Sequence, residues 1–332
     1  MSNTTQTLLS PPWTKNSDGA IRKVGVELEI NGMELDTLAH HVAEFLDLSI
    51  DSNGRYERVL KGDSAGDWII ELDFNLLKKI GREERGHNSL SEEAANTAEE
   101  MLALAAKAVV PLEVVSPPLP LDRLSQFEEL IKLLRNKGAK GTSDNAVNAF
   151  GMQFNPELPS LDAEMITRCL KAFVCLYDWI FERANINLSR RVTSYVNPYP
   201  TDYVKKIIAA DYWPNLDTLI DDYLLDNSTR NRALDMLPLF AFLDKERVDA
   251  KTDDVLIKAR PTFHYRLPDC EIDLPDWGLY IAWNDWVRVE ELAADKERLD
   301  ACCEAYHHHL DSTFERIFKD WSKIVEREWL NP

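Results

Sequence analysis

The chain has 332 residues, of which 45% are hydrophobic and 29% charged, and a formal net charge of −19. That length buries a substantial core without disulfides or metals to hold it, and no apolar run reaches the length of a membrane span. The basic residues are scattered rather than clustered, so the balance of charge argues against a nucleic-acid partner, whose phosphates are bound by grouped Lys and Arg.

Residues 1–20 lack both the basic start and the apolar stretch of a secretory signal and read as a flexible tail. Strands are predicted at 22–30, 55–62, 67–73, 109–116, 149–157 and 261–268, where short apolar and polar residues alternate. Between them Leu35, Leu38, Val42 and Leu46 recur at helical spacing, as do Leu124, Phe127, Ile131 and Leu134 ahead of a stopping Gly138. A long apolar helix is predicted at 161–184 with Ser160 placed to cap it, and helical fragments continue to about 240. Trp277, Tyr280, Trp283 and Trp286 read as a packed helical turn, core first and partner surface second. Short strands mixed with helices in the first half and helix in most of the second predict an α+β architecture rather than a doubly wound one. One continuous domain over 21–290 is expected, with a helical insertion at about 160–250 and a charged C-terminal helix over 291–332. Cys169, Cys175, Cys270, Cys302 and Cys303 form no CxxC pair and leave an odd count, which suits a reducing compartment and makes the cytoplasm the expected location.

The chemistry is carried by the polar positions of the strands. In GVELEI the apolar Val24, Val26, Leu28 and Ile30 point one way and Glu27 and Glu29 the other. Their α-carbons stand roughly 7 Å apart, near enough for both carboxylates to reach one cation or two neighbouring ones. Glu71 and Asp73 alternate in the same way with Ile70 and Leu72, and Glu113 with Leu112 and Val114. Gln153 and Asn155 alternate with Met152 and Phe154, and His264 and Arg266 with Phe263, Tyr265 and Leu267. Such a face suits magnesium through its oxygens and phosphate through its arginine. A half-exposed strand with a charged outer side would show the same alternation, and recurrence over several strands is what favours a site. No GxxxxGK[ST] and no GxGxxG after a strand is present, so neither a P-loop nor a dinucleotide site is indicated.

Taken in order, GVELEI, DWIIELD, EVVSPPL, FGMQFNPE and HYRLPD resemble the amidoligase family, carboxylate-amine ligases related to glutamine synthetase, over about residues 22 to 290. The resemblance implies a glutamine synthetase-like curved antiparallel sheet with packed helices and a helical C-terminal elaboration. It also implies ATP with Mg2+, and formation of an amide or peptide-like bond from a small-molecule or peptide carboxylate and an amine through an acyl phosphate. A glutamine amidotransferase supplying ammonia is the partner it suggests, with no role for membrane or nucleic acid. Glu27 and Glu29 match the family's ExE metal ligands, and Glu113 the glutamate of its next acidic segment. Gln153 and Asn155 stand where the family carries two histidines, which weakens a ligand or proton-transfer role there and leaves them to orient nucleotide or substrate. Arg266 matches a phosphate-binding arginine, and His264 stands where glutamine synthetase has a metal-binding glutamate. A phosphotransferase on the same fold and a non-catalytic nucleotide- or peptide-binding relative are the alternatives.

Other candidates carry less. His307, His308 and His309 point in different directions from one helix and make no single tetrahedral site. Adjacent Cys302 and Cys303 read as packing residues, and His40 and His41 as surface. Arg190 and Arg191 precede an aromatic loop and are candidates for contacting phosphate or a substrate carboxylate, against an ordinary surface role.

Overall fold

The computed structural model describes residues 7–52, 55–73, 110–144, 150–184, 196–314 and 319–330. In chain order its elements are β1 (Lys23–Ile30), α1 (Leu35–Leu46), β2 (Ser49–Ser52), β3 (Glu57–Lys61), β4 (Trp68–Leu72), β5 (Leu112–Val115) and β6 (Leu119–Pro120). There follow α2 (Leu124–Asn136), β7 (Met152–Pro156), α3 (Ala163–Arg183), α4 (Thr201–Ile208), α5 (Leu216–Asp226), β8 (Leu234–Asp235), α6 (Leu237–Leu243) and α7 (Lys245–Asp249). The last are β9 (His264–Tyr265), α8 (Leu279–Ala294), α9 (Lys296–Asp311) and α10 (Trp321–Ile324), the last running into a π-helical turn at Val325–Trp329. The fold is α+β. The strands pair antiparallel in the order β2-β3-β4-β5-β1-β7-β9-β8, with β6 beside the start of β1.

Alternation in the sequence decides which face of this sheet is covered. Val24, Val26, Leu28 and Ile30 are fully buried on one side of β1, together with Ile70, Val114, Met152 and Phe154 of its neighbours. α1 packs on the same side, with Leu38, Ala39 and Val42 inward, and its Asp36 accepts from Arg58 Nε of β3 at 2.7 Å. α2 contributes Phe127, stacked on Trp68 at 5.8 Å between ring centroids. It stops where expected, at Gly138, whose φ of +96° is the left-handed conformation that glycine adopts without a Cβ clash.

The aromatic stripe becomes the third helix of this layer. In α8 Trp283 meets Phe154 at 6.0 Å, and Trp286 meets Phe263 and Tyr265 at 5.6 and 5.5 Å, so these rings are core. The long apolar α3 lies behind α8 and carries the second half of the molecule. Asp162 rather than Ser160 caps it, accepting the N–H of Met165 at 2.8 Å, while Ser160 donates to the Asp162 carboxylate. The difference is one of reach, because a cap bonds the amide two or three residues on and Ser160 lies a further two residues back.

Other expectations are adjusted. The strand expected at 261–268 pairs regularly only over His264–Tyr265, flanked by isolated bridges at Thr262 and Asp269. Pro261 and Pro268 supply no N–H to a ladder. β2, β6 and β8 were not anticipated, being short and without alternation. Where a loose tail was expected, the stretch from Thr7 onward is seated on α8: Asn284 bonds the backbone of Thr7 and Leu9, and Trp283 Nε1 donates to the Leu9 carbonyl at 2.9 Å. Partly buried Leu8, Leu9 and Trp13 supply the apolar reason. Among the described residues no helix is long and apolar enough to cross a membrane.

Candidate functional site

With the helices on one face, register places the polar residues on the other. Glu57 of β3 faces Glu71 of β4, Glu71 faces Glu113 of β5, and Glu113 faces Glu29 of β1. At the usual strand spacing this row of four carboxylates is roughly 14 Å long. Like charges directly opposite one another are destabilising, so an uninterrupted row is not what packing alone would select. Glu27 lies two residues along β1, beside Gln153 of β7.

Glu113 feels the row most. It is 7% exposed, and burial pushes its carboxyl well above the ordinary 4.5, with Glu27, Asp73, Glu29 and Glu71 adding to the effect. Glu71 is raised for the same reasons, burial first and Glu57 next, with Lys258 acting the other way. A carboxyl raised in the folded state stabilises fully below its unfolded value, and that contribution is lost as pH climbs through the elevated one. In the absence of divalent cations, Glu113→Gln is therefore expected to flatten the loss of stability above pH 4.5 and to gain roughly 1 kcal/mol at neutral pH. Denaturant melts across pH read this directly, and parallel pH profiles for the two proteins would contradict it.

Two amides hold two of the acids. Gln153 Nε2 donates to Glu29 Oε1 at 2.9 Å, and the Gly151 N–H donates to the other oxygen of Glu29 at 2.7 Å. Asn155 Nδ2 donates to Glu27 Oε1 at 2.8 Å, which fixes its Oδ1 as an acceptor. That oxygen lies 2.7 Å from Arg260 Nη2 and 2.8 Å from His264 Nδ1. Asn155 Oδ1 thus takes N–H bonds from both, which assigns the His264 proton to Nδ1 and its lone pair to Nε2. Burial, then Arg260, Arg266 and Arg230, hold His264 well below the ordinary imidazole range, so the ring is neutral.

Beyond His264 the charge changes sign. His264 pairs across strands with Asp235 of β8, which is fully buried, and the same three arginines surround both. Burial raises the Asp235 carboxyl in spite of them. Arg266 donates to the Arg230 carbonyl. One sheet face therefore runs from carboxylates on β3, β4, β5 and β1, through amides on β7, to guanidinium groups about β8 and β9.

Residues 20–288 match the profile of a family described as "Putative amidoligase enzyme". The chain belongs to this family. No curated protein matches it in sequence.

In this member of the family, Glu27, Glu29, Glu113, Gln153, Asn155 and His264 share one face, with Arg266 adjoining His264. Gln153 and Asn155 orient carboxylates directly. Among the described residues no three carboxylate, imidazole or thiol groups are already gathered as a metal centre. The acids stand at strand spacing, Glu29 of β1 opposite Glu113 of β5 and Glu27 two residues along β1. Arg190 and Arg191 lie outside the described residues.

Arg260 was not singled out from the sequence. Its only signal is that it stands with Lys251 and Lys258 in a loop that carries more cations than acids, just ahead of β9. The remaining candidates are structural. Cys303 lies 3.6 Å from Cys175, sulfur to sulfur, in the core, and burial pushes the Cys175 thiol far up, away from reactivity. His309 sits against Tyr306 and Trp321, His307 pairs with Asp311 at 3.1 Å, and His40 is exposed.

Proposed function

We propose that the protein is an ATP- and Mg2+-dependent ligase that activates a carboxylate as an acyl phosphate and joins it to an amine, on a glutamine synthetase-like sheet. The observation that carries the reading is the register of Glu57, Glu71, Glu113 and Glu29 on one face, continuing into Asn155, His264 and the arginines. Membership of the amidoligase family supplies the reaction class.

The donor set fits the ion. Its groups are hard oxygen donors, and a divalent cation would offset the mutual repulsion that adds to burial in raising Glu113 and Glu71. Glu27, Glu29 and Glu113 would hold it, and the ion would supply charge neutralisation to the nucleotide phosphates. Gln153 and Asn155 keep the two β1 carboxylates in place, one amide to each. Arg266, which with Arg230 and Arg260 acts on His264, would neutralise a transferring phosphoryl group, work in which positioning and charge dominate. His264 keeps that end neutral apart from the guanidinium groups. The amine reaches the acyl phosphate as a free base. Ammonia from a glutamine amidotransferase is one source of that chemistry, and the cytoplasm is the compartment in which ATP is available to it.

Calorimetry of the full chain with ATP and Mg2+, paired with release of inorganic phosphate, tests the reading. Phosphate is expected only when a carboxylate and an amine are present together. Folded protein that gives no heat of binding removes the proposal. Binding without any product would favour a non-catalytic relative, the reading that the amide bonds tying down Glu27 and Glu29 support.

A further inference from the structure

Arg260 reaches the sheet on the segment that follows α7. The segment leaves that helix with the N–H groups of Lys251 and Thr252 on the Val248 carbonyl, and turns at Asp254, whose carboxylate accepts the Leu256 N–H at 3.0 Å. It is fixed again where the Arg260 N–H meets the Pro238 carbonyl at 3.0 Å. Between these anchors Val255 is 88% exposed, and Ile257 packs only partly buried against the core. It carries two cations to carboxylates on different strands: Lys258 acts on Glu71 of β4, and Arg260 stands beside Glu27 of β1.

The attachment of Arg260 is partial. Its Nη2 lies 3.9 Å from Glu27 Oε1, beyond hydrogen-bond range, so the two charges pair through space. Its shortest side-chain bond is to Asn155 Oδ1 at 2.7 Å, with His264 Nδ1 3.1 Å from the same Nη2, while its Nε is buried without an acceptor. Asn155 meanwhile donates to the same Glu27 oxygen from its other side-chain atom. Glu27 is therefore positioned by Asn155 and only neutralised by Arg260. An ion bound at Glu27 would find a positive charge within a few ångströms, and like charges at that distance repel.

We propose that Arg260 and a divalent cation are alternative occupants of the space beside Glu27. The guanidinium neutralises the carboxylate while no ion is bound and withdraws with its segment when one binds, and Asn155 keeps Glu27 oriented in both states. The inference rests on the preceding reading that a divalent cation binds at Glu27, and adds that the chain carries its own competitor for that ion.

The test is titration of the full chain with Mn2+, followed by calorimetry and by the electron paramagnetic resonance of free Mn2+. Arg260→Gln is expected to bind Mn2+ roughly tenfold more tightly than the wild type, the effect of removing a like charge so close to the ion. Arg260→Lys keeps the charge and is expected to stay close to wild type. In the wild-type protein Mn2+ should also speed amide hydrogen exchange over 251–260, a readout that needs no variant. If the wild type binds Mn2+ and Arg260→Gln binds it equally or more weakly, with exchange over 251–260 unchanged, the competition is overturned and the ligase reading stands. If neither protein binds Mn2+, both are overturned.

Discussion

Glu290→Ala is expected to destabilise the fold by about 3–5 kcal/mol, the cost of stranding one partner of a buried ion pair. Glu290 and Arg22 are each 1% exposed and meet through two parallel bonds of 2.7 Å. Further bonds hold both groups. Arg22 donates to the carbonyls of Glu157 and Trp13 at 2.8 and 2.6 Å, and Trp286 Nε1 donates to Glu290 at 2.8 Å. Alanine would leave the guanidinium in the interior with no counter-charge. Arg22 immediately precedes β1 and Glu290 lies on α8, so the pair ties the strand bearing Glu27 and Glu29 to the helix beneath it. The double replacement Arg22→Met with Glu290→Leu removes both charges and should recover most of the loss. Denaturant midpoints measure all three proteins, and a cost below about 1 kcal/mol for Glu290→Ala would show that the interior tolerates the lone arginine.

Glu27→Gln is expected to lower ATP-dependent turnover by roughly two to three orders of magnitude while leaving the melting temperature unchanged or slightly raised. Glutamine keeps an oxygen to accept from Asn155 Nδ2, so the local hydrogen bond survives. What is lost is the negative charge, on which a divalent cation and its nucleotide would depend. Stability should not suffer, since Glu27 is one of the carboxylates that raise Glu113 and Glu71. Steady-state kinetics and a melt on the same sample separate the two effects. Turnover at the wild-type level would remove Glu27 from the catalytic set.

How far such a site can be read from sequence is clearest strand by strand. In β1 the apolar and acidic residues alternate from Val26 to Ile30, so both the buried face and the direction of Glu27 and Glu29 follow from the period of a strand. Register does not. That Glu57, Glu71, Glu113 and Glu29 fall in one line depends on how four separate segments pair, and no local pattern specifies that alignment. Gln153 and Asn155 were visible as departures from a family pattern, but their partners became evident only once β7 lay beside β1. Arg260 was missed because it sits in an irregular segment, where periodicity carries no signal and position is decided by anchors at Pro238 and Asn155. β8 was missed for a related reason. Leu234 and Asp235 are both fully buried, so two residues show no contrast between their sides.

The two ends of the strand order bear on assembly. Among the described residues, β2 carries exposed Ser49, Ile50 and Asp51, with Asp51 paired to Lys61 at 2.7 Å, and β8 at the far end is two residues long. Short, charged margins are poor templates for strand addition by a second molecule. A self-association of this protein would accordingly be built from the outer surfaces of its helices, where side chains rather than main-chain ladders make the contact.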